Sequence, residues 1–199
     1  MTAAGPSGWD TVLRRGVALL EIDRFAPRAG HDAAISALRV LVLADTHLHH
    51  DLSRLPPDVW EHVEDADVVL HAGDVVTGDL LDALRAQRPV HAVLGNNDAA
   101  LVGALPDRLE LRLAGVRLGM VHDSGARAGR ERRLRRWFPD ARLVVFGHSH
   151  DPVDAEGIEG QRLFNPGSAV QRRRQPRRTV GRIELADGDI VRHEIVPVD

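Results

Sequence analysis

The sequence contains no cysteine, which removes disulfide staples, thiolate metal ligands and a cysteine nucleophile at once. It also contains no lysine, so all 26 basic residues are arginine. Tyrosine is absent and aromatic residues make up only 4% of the chain, leaving little on which nucleobases could stack. No run of 18 apolar residues exists, which excludes a membrane-spanning helix and with it a membrane partner of that kind. The first residues lack the basic start, long apolar stretch and small-residue cleavage site of a secretory signal. Glu21 and Asp23 argue against an Arg-rich organelle-targeting helix. Together these absences set the expectation of a cytoplasmic chain.

What remains is ordinary globular material: 199 residues, 43% hydrophobic and 28% charged. That is one domain, or one domain with an appendage, and enough chain to bury a core without staples. The charge is unevenly placed. Residues 1–100 carry 8 Arg against 15 acidic residues, net −7, and residues 101–199 carry 18 Arg against 14, net +4. Acidic groups that hold cations and arginines that hold phosphate would build an anion site from the two halves. A solvated, arginine-biased surface accounts for most of these charges.

Residues 1–36 read as an extension, flexible or a short amphipathic helix carried by Val12, Leu13, Val17, Leu19 and Leu20. Residues 37–199 read as the main domain. Leu38–Leu43 reads as a strand ending in Ala44-Asp45, and 57–65 as a helix with proline in its first turn. A second strand over 67–70 ends at Gly73-Asp74, a helix covers 79–87, and a third strand over 90–94 ends at Gly95-Asn96-Asn97-Asp98. Strands alternating with helices give an α/β fold. The second half holds more strands. A hairpin runs over 108–113 and 116–121, a basic helix over 127–137 and a buried strand over 143–146, and a second hairpin spans 179–185 and 190–196 around Asp187-Gly188.

Several strands end in the same way. An apolar run stops and a metal-ligand residue follows: Asp45 and His47, Asp74, Asn96, His122, and His148 with His150. Ligands of open α/β sheets bind beyond the strand carboxyl ends. Packing does not call for seven such residues there. Carboxylate, amide oxygen and imidazole suit Mn²⁺, Fe or Zn²⁺ better than Ca²⁺. Two such cations roughly 3.5–4 Å apart can clamp a displacement at phosphorus.

These motifs resemble the calcineurin-like metallophosphoesterases, and the small single-domain phosphodiesterase branch of that family in particular. The resemblance rests on Asp45-Thr46-His47, Gly73-Asp74, Gly95-Asn96-Asn97-Asp98, Val121-His122, Gly147-His148-Ser149-His150 and Asn165-Pro166-Gly167-Ser168, in the family's order. It implies a four-layer α/β/β/α sandwich of two mixed sheets flanked by helices. It implies that Asp45, His47 and His150 hold one metal, that Asn96, His122 and His148 hold a second, and that Asp74 bridges them. Asp74, Asn96 and His122 are the ligands it also implies in catalysis. The cofactors implied are two divalent ions, Mn²⁺ first, with Fe, Zn²⁺, Ni²⁺ and Mg²⁺ as alternatives. The activity implied is hydrolysis of a small phosphorylated or nucleotide-like phosphodiester by a metal-bridging hydroxide.

One position departs from the family. Many members carry histidine after the motif's first asparagine, where it protonates the leaving oxygen, and this chain has Asn97. A neutral amide cannot give up a proton and be regenerated at pH 7. His49 and His50 share the loop of His47 and are candidates to line the pocket or contact phosphate. Asp98 is a candidate partner to a ligand histidine or a helix N-cap. His31, His62, His71, His91 and His193 read as ordinary core or surface residues.

Two arginine clusters stand out: Arg127, Arg130, Arg132, Arg133, Arg135 and Arg136, and Arg172, Arg173, Arg174, Arg177 and Arg178. A solvated face is the default for both, and the second lies near enough in sequence to steer a phosphate. Two alternatives to the small-molecule phosphodiesterase follow. One is a non-catalytic metal-binding or protein-interaction scaffold, since a eukaryotic retromer subunit of similar fold serves as one. The other is a nuclease tracking nucleic acid along the arginines, a partner the lack of aromatics disfavours. A homo-oligomer is compatible with the sequence.

Overall fold

A computed structural model describes residues 10–14, 17–22 and 37–199 of the chain. In order the elements are β1 (Asp10–Arg14), β2 (Val17–Ile22), β3 (Leu38–Leu43), α1 (Pro57–Asp65), β4 (Val68–His71), α2 (Gly78–Arg85), β5 (Val90–Ala92), β6 (Arg108–Leu113) and β7 (Val116–Val121). They continue with α3 (Arg130–Trp137), β8 (Leu143–Phe146), β9 (Val153–Glu156), β10 (Arg162–Asn165), β11 (Arg178–Ala186) and β12 (Asp189–Val198). No helix among the described residues is long and apolar enough to cross a membrane.

Two mixed sheets result. One has the order β12-β11-β3-β4-β5, with β3, β4 and β5 parallel. The other has the order β1-β2-β6-β7-β8-β10-β9, with β7, β8 and β10 parallel. The apolar runs of the sequence are continuous rather than alternating because both faces of these strands are covered. Successive side chains of a strand point to opposite faces, so each run feeds two cores. Val40, Val42, Val68 and Leu70 of one sheet meet Leu111, Leu118, Met120 and Val145 of the other in the central core. Leu41, Leu43 and Val69 face outward and pack under Val59 and Val63 of α1 and Leu80, Leu81 and Leu84 of α2. Val144 and Phe146 face the other way, onto Leu134 of α3 and Phe138. The layers are therefore helix, sheet, sheet and helix.

The N-terminal segment departs from expectation. Instead of a helix, residues 10–14 and 17–22 form an antiparallel hairpin, and β2 pairs in parallel with β6 from Leu19↔Glu110 to Ile22↔Leu113. Gly16 would sit inside that helix at a cost of about 1 kcal/mol. Two helical turns are also too short to stand alone, whereas an open sheet edge supplies backbone partners.

Candidate metal centre

All seven strand-end residues converge where the parallel strands of the two sheets terminate. Asp45 and His47 follow β3, Asp74 follows β4, Asn96 follows β5, His122 follows β7, and His148 and His150 follow β8. Nε2 of His47 and Nε2 of His150 lie 3.1 Å apart, with the rings stacked. Nε2 of His150 is 3.5 Å from Asp45 Oδ1. On the other side, Asn96 Oδ1 lies 3.0 Å from His122 Nε2 and 2.8 Å from His148 Nδ1. Asp74 stands between the groups, its Oδ2 3.5 Å from His47 Nε2 and 3.4 Å from His122 Nε2. Asp45, His47 and His150 form one set able to hold an ion, and Asp45, Asp74 and His122 form another.

The donors are presented by unusual backbone. Asp45, His47, Asp74, His148 and His150 all have positive φ, between 46° and 70°, and the β-branched Val76 sits at 81°. Non-glycine residues seldom adopt this region, and such strain persists only where the surroundings hold it. The holding groups are identifiable. Asp98 is fully buried and accepts from the N–H groups of Asp74 (3.0 Å), Val76 (2.6 Å) and Gly95 (2.7 Å). Ser168 donates its hydroxyl to the Asp45 carbonyl at 2.7 Å. The Asn165 amide donates to the Gly147 carbonyl at 3.0 Å and accepts from Gly167 N–H at 2.9 Å, closing the turn beside the cluster. Gly95 is required by proximity, since a Cβ there would stand 2.1 Å from the Asp74 nitrogen.

Backbone carbonyls orient two of the imidazoles. His122 donates from Nδ1 to the Ala72 carbonyl at 2.7 Å, and His150 from Nδ1 to the Gln171 carbonyl at 2.7 Å. Each therefore turns its Nε2 toward the carboxylates. Burial, joined by the nearby Asp74 charge, pushes Asp45 up to about 7. Burial would raise Asp74 as well, but hydrogen bonds from His122 and Asn97 outweigh it and hold that carboxyl well below its usual range. Burial, with the positive charges of Arg173 and His47, holds His150 down to about 4 against the pull of the Gln171 carbonyl. His122 is raised: burial lowers it, but Asp74 and the Ala72 carbonyl more than compensate. One buried oxygen, Asp45 Oδ2, has no hydrogen-bond partner. An unpartnered carboxylate oxygen among clustered carboxylate, amide and imidazole groups is the donor set of a cation site, and nitrogen and oxygen donors without sulfur fit Mn²⁺, Fe or Zn²⁺.

The remaining sequence candidates are placed differently. Asn97 does not point away from the cluster. Its Nδ2 donates to Asp74 Oδ2 at 2.7 Å and its N–H to Asp74 Oδ1 at 2.8 Å. Asp98 neither meets a ligand histidine nor caps the short helical turn after it; its carboxylate braces the Asp74 loop. His50 is exposed and paired with Asp79 Oδ2 at 2.6 Å. His49 is exposed too, and its carbonyl accepts from Thr77 Oγ1 at 2.6 Å. His31 lies outside the described residues. Sequence reasoning missed the supports that act through carbonyls, at Ala72 and Gln171, because no side chain announces them. A small surface pocket lined by Arg39, His62, Asp65, Arg182 and Glu184 contains none of the converging residues.

Similarity to known proteins agrees with this geometry. A family model described as the calcineurin-like phosphoesterase superfamily domain matches residues 38–188. A probable metallophosphoesterase of Methanothermobacter thermautotrophicus is 33% identical over 156 residues, covering 76% of this chain and 90% of that protein. A conserved uncharacterized protein of Streptococcus pneumoniae, a predicted phosphoesterase, superposes with a TM-score of 0.64 at 23% identity, covering 82% of this chain and 91% of that one. Vacuolar protein sorting 29 of Cryptosporidium parvum superposes with a TM-score of 0.67 at 19% identity, over 81% of this chain and 98% of that one. At those identities the two structures speak for the fold alone.

Proposed function

The chain belongs to the calcineurin-like phosphoesterase superfamily, and from that premise we propose that it is a binuclear metal-dependent phosphodiesterase acting on a small phosphorylated or nucleotide-like ester. The observation that carries the proposal is the convergence of two donor groups on one shared carboxylate, Asp74. Asp45, His47 and His150 would hold one divalent cation, Asn96, His122 and His148 the other, and Asp74 both. Mn²⁺ is the first choice for that donor set. When bound, such a pair supplies Lewis-acid stabilisation of charge on phosphate oxygens and activation of water.

The protein's own part is orientation. His122 and His150 are fixed in one tautomer by the Ala72 and Gln171 carbonyls, which keeps each Nε2 available and raises its basicity. Asn97 holds Asp74 and has no proton to give to a leaving group. A positioned general acid is worth about 10²–10⁴ in rate, so its loss falls hardest on poor leaving groups. Aryl diesters therefore suit this site and simple alkyl monoesters do not. A scaffold without catalysis would have no need of a complete donor set, and a nuclease would need stacking groups that the chain lacks.

The test is hydrolysis of bis(p-nitrophenyl) phosphate, p-nitrophenyl phosphate and an alkyl phosphomonoester by purified protein with Mn²⁺, Fe²⁺, Zn²⁺, Ni²⁺ or Mg²⁺. Metal-dependent turnover of the diester, abolished by chelation, is expected. Preference for the alkyl monoester, or undiminished activity without metal, would contradict the proposal.

A further inference from the structure

Three arginines of the two clusters are tied to the protein. Arg133 spends its guanidinium on the carbonyls of Ser124 and Ala126, Arg135 pairs with Glu159, and Arg172 donates to the Pro176 carbonyl. Two arginines from different elements stand out, each next to a segment that carries donor residues.

Arg173 is the first. It lies in the loop after β10, with φ at 49°. That loop is stapled to the cluster at both ends. The Gln171 carbonyl holds Nδ1 of His150 at 2.7 Å, and Gln175 donates from Nε2 to Asp151 Oδ1 at 2.6 Å. Arg173 sits between the two staples, exposed, with no hydrogen bond or ion pair of its own among the described residues. Its charge is felt by Asp45, His47 and His150, all on the same half of the cluster.

Arg130 is the second. It opens α3, and its guanidinium lies 4.9 Å over the ring of Phe146, the last residue of β8. Gly147 and His148 follow that ring directly. The Nε of Arg130 is buried without a hydrogen-bond partner. An arginine stacked on an aromatic face is held in place yet keeps its outer N–H donors free. Planar donor forks of this kind recognise phosphate.

Resting on the phosphodiesterase reading, we propose that Arg130 and Arg173 flank the metal centre as two anion-binding arms and select substrates that carry a second phosphate beside the ester that is cleaved. The substrate class is a small polyanionic phosphoester such as a nucleoside or sugar bisphosphate derivative. A compact ligand fits better than a polynucleotide, because no exposed aromatic residue accompanies the two arms among the described residues.

The test uses two esters with the same leaving group, thymidine 5′-(p-nitrophenyl phosphate) and its 3′-phosphorylated counterpart. Wild type should favour the second by tenfold or more in kcat/KM. Arg173→Gln and Arg130→Gln should each shrink that preference about tenfold, the scale of one lost charge-assisted contact. Arg136→Gln, on the exposed face of α3, controls for bulk charge and should leave the preference intact. Calorimetric titration with methylenediphosphonate against methylphosphonate reads the same selectivity without turnover. If neither ester is hydrolysed but the diphosphonate still binds preferentially and loses that preference in the two variants, the activity reading fails and the arms stand. Equal handling of both esters and both phosphonates by wild type overturns the arms. So does an equal effect of Arg136→Gln, or tighter binding of a single-stranded oligonucleotide with a salt dependence steeper than two phosphate contacts explain.

Discussion

Asp98 is fully buried and gives both carboxylate oxygens to backbone N–H groups of the loop that presents Asp74. Asp98→Asn keeps the shape but replaces an acceptor with a donor facing donors. Leaving buried N–H groups unsatisfied costs about 1–3 kcal/mol each, and disturbing a ligand's support typically lowers metal affinity 10–100-fold. A lower melting temperature together with weakened metal binding is expected, measured by calorimetry; unchanged metal affinity would show that the Asp74 loop holds itself. Asn97 permits a second prediction. Asn97→His supplies an acid but removes the 2.7 Å amide bond to Asp74. Turnover of alkyl esters should therefore rise relative to aryl esters, even if both fall in absolute rate. A ratio that stays constant would mean that leaving-group protonation comes from elsewhere. The seven converging residues were legible in the sequence because each follows an apolar strand inside an ordered motif. Asp98's role was not, because a buried carboxylate that binds backbone N–H groups looks the same in sequence as a helix cap.

The strands that carry the site were readable as elements for the same reason. Leu38–Leu43 and Leu143–Phe146 are short, continuous apolar runs with defined ends, and the structure places strands there. β9 was not readable, since Val153–Glu156 is largely exposed and carries no apolar pattern. The N-terminal hairpin is not readable from its own segment, because its identity depends on a partner, β6, that lies about ninety positions away in the chain. That pairing bears on truncation. Removing residues 1–36 leaves all seven donors in place, and β3 keeps its partners β4 and β11. It also uncovers the backbone of β6. The truncated protein should bind metal with unchanged stoichiometry but melt at lower temperature or self-associate, as light scattering would report. Loss of metal binding on truncation would show that the hairpin supports the centre itself.

At the scale of the molecule, three apolar clusters and a charged edge share the strands of two sheets, so titration at the edge is felt as stability. His71 is completely buried and held down to about 3 by burial and the neighbouring His122 charge; burial with Arg85 holds His91 down to about 4. His150 is held down to about 4 as well. Each is neutral in the fold and protonated when unfolded below about pH 6.5. The stability they contribute is therefore complete above that pH and lost as pH falls toward 4. Asp45, pushed up to about 7, works in the opposite sense with one proton. The balance is a net uptake of about two protons on unfolding near pH 5, or roughly 3 kcal/mol per pH unit. Metal-free protein should show a melting temperature that is steady near neutrality and falls below pH 6.5, and a flat profile to pH 4 would contradict this. The four-layer architecture was legible from motif order, whereas the carbonyl supports at Ala72 and Gln171 needed the fold. The most direct test of that centre is metal stoichiometry by mass spectrometry after loading with Mn²⁺ and removal of free ion. Two ions per chain are expected, one in His148→Ala and fewer than one in Asp74→Asn, because in the proposed assignment Asp74 is shared by both sites. A wild-type protein that retains no ion, or an Asp74→Asn variant that keeps two, would contradict it.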